Sequence, residues 1–188
     1  GDTQYAFATV PDAVFNEILA RRKEQRFTHV RGALLGPRPE NAADAAGSPL
    51  PAPDRLLPAH FQQADRRVRA LNEAGMVVDL ILGWDRNQLA EILPTQKDRE
   101  RYLNYVIGRY AAFNVTWQLV QEFEEYKDGK RLMKEMGEYL RERDPYRHPR
   151  STHTISTTSP LVRDGWMSYM LYQNSNDQLG AIEHQLYQ

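Results

Sequence analysis

Apolar residues recur along this chain at two alternating spacings. From Pro11 to Gln25 they follow the helical period. Val14, Ile18 and Leu19 share a face, Pro11 suits a first turn, and Asp12 complements the helix dipole. Phe27 to Leu35 then predicts a strand, and the Pro- and Ala-rich stretch from Gly36 to Pro58 predicts a long loop. Ala59 to Glu73 returns to the helical period through Phe61, Ala64, Val68 and Leu71, with Gly75 as its stop signal. Met76 to Leu82 is nearly continuous in apolar residues, the pattern of a strand buried on both faces. A helix over Lys97 to Phe113 and a strand over Val115 to Val120 follow. The helix over Lys130 to Arg143 is ended by Asp144-Pro145, because the residue before a proline avoids helical backbone. His148 to Ser156 predicts a short strand, Trp166 to Gln173 another, and Asp177 to Tyr187 a last helix.

Strands alternating with helices predict an α/β fold with a parallel sheet, either open and doubly wound or closed into a barrel. No strand is followed by a glycine-rich phosphate loop, which argues against a nucleotide-binding fold and its cofactors. Instead, polar and aromatic residues gather just after the strands, at Trp84-Asp85, Gln121-Glu122, His153 and Gln173-Asn174. A (β/α)8 TIM barrel places its active site there.

Composition narrows the function classes. A net charge of −1 argues against nucleic acid as a partner. No apolar run approaches the ~20 residues of a membrane-spanning helix. Without cysteine there are no disulfides or thiolate–metal sites, and no HExxH or similar spacing occurs, so no catalytic metal and no cofactor are expected. Gly1 is not an initiator Met, so a removed leader or a longer polypeptide is expected upstream. The three Trp and ten Tyr could stack on sugar faces or simply fill the core.

At several of these positions the sequence resembles a known family. Gly1-Asp2-Thr3, the run Val115-Thr116-Trp117-Gln118-Leu119-Val120-Gln121-Glu122, and Asp144-Pro145-Tyr146 with His148-Pro149, Ser151 and His153 resemble the apiosidase-like glycoside hydrolases, within the clan of retaining (β/α)8 glycosidases. The resemblance implies that Glu122, after strand four, is the general acid/base. The clan usually has Asn-Glu here, and Gln121 keeps the amide with one more methylene. The nucleophile, a Glu after strand seven, is expected beyond Gln188. The first strand looks clipped, with Asp2 near its end. Residues 1–188 therefore read as a partial catalytic domain, about six of the eight units of a barrel that typically needs ~250 residues. Remaining barrel segments or a partner chain should cover the open sheet edge. The resemblance also implies a secreted or periplasmic location and a carbohydrate substrate.

Glycoside hydrolysis needs two carboxyl groups, one protonated and one ionised. Glu122 follows an apolar strand, which suits the protonated role, or it merely begins the acidic run that continues through Glu124 and Glu125, both read as solvated. Asp2 could bind a sugar hydroxyl or cap a turn. Arg31 could orient a catalytic carboxylate or form a structural ion pair, since a charge in a strand is costly unless paired. Trp84 could be a sugar platform and Asp85 a hydroxyl ligand, or both could pack and cap a loop. Gln121, His153 and Gln173 are further candidate substrate contacts. The competing reading is a non-catalytic carbohydrate-binding barrel.

Overall fold

The computed structural model describes residues 2–4, 6–35, 49–85 and 88–173. Five parallel strands form one sheet in chain order: β1 (Asp2–Gln4), β2 (His29–Ala33), β3 (Val77–Gly83), β4 (Val115–Val120) and β5 (Arg150–Ser151). Between them lie α1 (Asp12–Glu24), α2 (Pro58–Glu73), α3 (Gln88–Ile92), α4 (Gln96–Tyr110) and α5 (Gly129–Arg143). Each strand thus pairs with its sequence neighbour through a helical crossover, as the alternation of periods predicts. Local signals set the helix starts. Pro58 opens α2, and Thr95 caps α4 in a reciprocal box with Asp98, whose backbone N–H donates to Thr95 Oγ1 at 3.2 Å. The short α3 was not foreseen, and the helix proposed for Asp177 to Tyr187 lies outside the described residues, as does most of the Gly36 to Pro58 loop.

The sheet has two differently built faces. Val30, Val78, Leu80, Leu82, Val115, Trp117 and Leu119 enter the apolar core shared with the helices. The alternate positions stand in register on the other side: Thr3, Arg31, Asp79 and Thr116 in one layer, Ala33, Ile81, Gln118 and Ser151 in the next. The first layer is polar. Fully buried Asp79 accepts from Arg31 Nε (3.1 Å), Thr116 Oγ1 (2.7 Å) and the Tyr169 hydroxyl (3.4 Å). Arg31 thereby satisfies the requirement that a charge in a strand be paired.

The N-terminal ends of the strands are tied together by side chains. Asn72, at the end of α2, donates to the carbonyls of Met76 (3.0 Å) and Asn114 (3.1 Å) and accepts from Asn114 N–H (2.8 Å). This joins the turns entering β3 and β4. Asp144 accepts from Trp117 Nε1 (2.9 Å) and lies 2.9 Å from His148 Nδ1, fixing the turn into β5. Arg67 of α2 donates to the carbonyls of Phe7 and Val10 and to Asp12 (3.0 Å), holding the β1–α1 connection.

Two expectations require correction. Trp166 to Gln173 is not a strand. It meets β5 at Ser168, whose N–H donates to Arg150 O at 2.8 Å and whose Oγ accepts from Arg150 N–H at 3.2 Å, and the chain then folds back so that Gln173 N–H donates to Ser156 O and Thr158 N–H to Leu171 O. Its rings are used elsewhere: Trp166 is buried against Gly137 of α5, and Tyr169 reaches Asp79. Asp2 is also misplaced at the active end. Its Cα pairs with Val30, level with Val78 and Val115, five residues below Gly83 and so ~16 Å from the C-terminal rim at ~3.3 Å per residue.

Candidate active site

The C-terminal ends of β3, β4 and β5 converge on one rim. Gly83 ends β3 in a tight passage, where a Cβ would sit 3.0 Å from both Leu89 and Val120. Trp84 and Asp85 follow, both half-buried. The Trp84 backbone is pinned: its N–H donates to Gln88 Oε1 at 3.0 Å, and its carbonyl accepts from the Tyr126 hydroxyl. Tyr126 also accepts from Leu89 N–H (3.2 Å), and burial pushes its phenol well above the usual range. Tyr126 thus ties the β3 exit to the turn after β4. The sequence reading passed over it because an aromatic after an acidic run carries no positional signal.

Glu122 sits at the junction of β4 and a 3-10 turn, Phe123–Glu125, with left-handed backbone (φ 50°, ψ 70°). Its neighbours hold it there. Gln121 N–H donates to Gly83 O (2.9 Å) and Phe123 N–H to His153 O (3.2 Å). The residue before Glu122 is therefore fastened to β3 and the residue after it to the β5 exit. A carboxylate oxygen from each of Asp85, Glu122 and Glu125 lies within 4.8 Å of the others. That spacing would suit a hard cation with oxygen ligands. Glu124 is exposed, as expected, and it also accepts from Thr154 Oγ1 and from Ile155 N–H (3.1 Å), binding the turn to the β5 exit.

His153 is 5% exposed. Its N–H donates to Val120 O (3.0 Å), and its Nδ1 lies 3.0 Å from Gln121 Nε2. Burial, reinforced by the Arg31 charge, lowers its pKa to about 4, so the ring is neutral near pH 7. Gln121 is itself 5% exposed and engaged with His153.

The structure therefore brings Trp84, Asp85, Gln121, Glu122 and His153 to one rim. Arg31 lies deeper, on Asp79. Gln173 is exposed in the fold-back rather than ending a strand, and the backbone of Asp2 is at the opposite end. The network around Asp79 was missed, although one charge inside an otherwise apolar run, beside a strand carrying Arg31, was a legible sign of a buried pair.

The family model for the apiosidase-like catalytic domain matches residues 1–188. Among solved structures, a candidate glycoside hydrolase from Bacteroides vulgatus superposes with TM-score 0.68 at 24% identity, over 83% of this chain and 35% of its own. A glycoside hydrolase family 5 protein from the same organism gives 0.71 at 13% identity, over 94% and 40%. The endo-β-1,4-mannanase of Thermotoga petrophila gives 0.66 at 14%, over 82% and 42%. These are (β/α)8 barrels, and the chain spans well under half of each, so its five strands are part of such a barrel. No curated protein matches significantly.

Proposed function

Because the chain belongs to the family of apiosidase-like catalytic domains, we propose that the complete protein is a retaining glycosidase and that Glu122 is its acid/base group. The observation that carries this reading is the position of Glu122: left-handed at the C-terminal end of β4, anchored on both sides, with carboxylate oxygens of Asp85 and Glu125 within 4.8 Å. A general acid must present its carboxyl to the substrate, and the C-terminal rim of the strands is where a barrel does so. Glu122 protonates the glycosidic oxygen, then as a carboxylate activates water against a glycosyl-enzyme intermediate. The nucleophile is a Glu beyond Gln188, with its carboxyl ~5–5.5 Å from that of Glu122. Trp84 offers a stacking face, and Asp85 and His153 bind hydroxyls. The substrate is a plant or microbial polysaccharide or oligosaccharide, which places the protein outside the cytoplasm, secreted or periplasmic. The remaining barrel segments close the sheet between β5 and β1.

The test is Glu122→Gln in the complete protein, assayed on a panel of 4-nitrophenyl glycosides and on the matching unactivated oligosaccharides. The variant keeps the shape and loses the transferable proton. Oligosaccharide hydrolysis should fall roughly 10³-fold or more, while the first step on the activated aryl glycosides falls far less. Azide should rescue the aryl glycosides and give a product of retained configuration. Equal losses on both substrates without rescue would remove Glu122 from this role. Binding of sugars without hydrolysis by the unaltered protein would instead make it a carbohydrate-binding barrel.

A further inference from the structure

We propose that Gln121 is a positioning residue that holds His153 in the Nε2–H tautomer, so that the imidazole offers a sugar a donor and not an acceptor. The proposal rests on the glycosidase reading for its consequence, but the tautomer itself does not depend on activity.

Gln121 Nε2 and His153 Nδ1 are 3.0 Å apart, and both residues are buried. A carboxamide nitrogen has only N–H groups to offer, so Nδ1 must supply a lone pair. A neutral imidazole with a bare Nδ1 carries its proton on Nε2. Burial and the positive charge of Arg31 keep the ring neutral, so the bond is not replaced by an imidazolium at working pH. The charge acting on the ring is that of Arg31 from β2, itself paired with Asp79 of β3.

The frame around the pair makes the orientation stiff. His153 N–H donates to Val120 O, and its carbonyl accepts from Phe123 N–H. His153 is thus bonded through its main chain to the residues on either side of Gln121-Glu122, and through its ring to Gln121. Side-chain length matters too: an asparagine amide at this position would end about 1.5 Å short of the ring. Glutamine reaches across to the neighbouring strand exit, so the amide just before Glu122 works on the histidine.

The experiment uses the complete protein with 15N-labelled histidine and long-range 1H–15N correlation spectra, His153 being assigned by its absence in His153→Gln. The expected spectrum shows an unprotonated Nδ1 and a protonated Nε2. In Gln121→Glu a carboxylate faces Nδ1 and demands a proton from it, so the ring should switch to the Nδ1–H form and titrate more than one pH unit higher. Hydrolysis of the aryl glycosides should fall tenfold or more in kcat/KM. Gln121→Asn, a gentler change, should give a mixture of tautomers and an intermediate loss, with an unchanged thermal midpoint showing that the fold is intact. An Nδ1–H tautomer in the unaltered protein would overturn the proposal, as would a spectrum indifferent to Gln121→Glu. Finding the expected tautomer in a protein that hydrolyses no glycoside would leave Gln121 in this role and remove the glycosidase reading alone.

Discussion

Glu122 stands where a glycine would be easier to place. Left-handed backbone costs a non-glycine residue roughly 1–3 kcal/mol, and such positions persist only where the surroundings impose them. Here Gly83 at the end of β3 and His153 just past β5 impose it from two sides. This predicts an inverted order of stability. Glu122→Ala and Glu122→Gly both delete the carboxyl, but only glycine relieves the backbone. Urea unfolding should therefore find the glycine variant about 1 kcal/mol more stable than the alanine variant, the reverse of their order in a helix. Equal midpoints would show that the site is not strained. Both variants should fail on unactivated oligosaccharides.

At the level of elements, helix α5 is shaped to its neighbour. A Cβ on Gly137 would lie 2.2 Å from the Trp166 ring, so Gly137→Ala must displace a fully buried indole. The expected loss is about 3 kcal/mol, from overpacking that outweighs the gain in helix propensity; thermal unfolding measures it. The same contact explains why this segment was misread. Trp166 to Gln173 has the composition of a strand, but its indole is taken by a helix and its Tyr169 by Asp79, and neither tertiary demand is visible in a local pattern. By contrast β3 and β4 were legible almost to the residue, because burial on both faces writes an apolar run into the sequence. Glu122, Trp84 and His153 were legible as positions after strands. Asp2 was not, because the pairing register of a three-residue edge strand is set by its neighbour. The turn into β5 adds a test with a pH signature. Burial alone would raise the Asp144 carboxyl, but donors from Trp117, His148 and Tyr146 outweigh it and hold the group below the usual range. The folded chain thus keeps the carboxylate ionised to a lower pH than the unfolded chain does. Its contribution is complete above the ordinary carboxylate range and is lost as pH falls through and below it. Asp144→Asn should cost about 2–3 kcal/mol at pH 7, and urea titrations should show that gap closing toward pH 3. A gap independent of pH would mean that shape, not charge, holds the turn.

At the scale of the whole molecule, the described sheet has β1 and β5 as its edges, while the match covers only 35% and 40% of the two Bacteroides vulgatus proteins it superposes on. Unpaired edges beside apolar surface invite association. A polypeptide of these residues alone should therefore bind a hydrophobic dye and self-associate in light scattering, and one extended to the ~250 residues of a typical barrel should do neither. A dye-silent monomer of the short form would show that the edges are already covered. The ends of the strands carry different duties. The clamps made by Asn72 and Asp144 lie at the entries to β3, β4 and β5, and Trp84, Glu122 and His153 lie at the exits. Changes at one end therefore need not be negotiated with the other. A laboratory library that randomises the exit loops while leaving Asn72, Asn114, Trp117 and Asp144 untouched should retain a large folded fraction, giving selection for new sugar preferences a broad pool of survivors to act on.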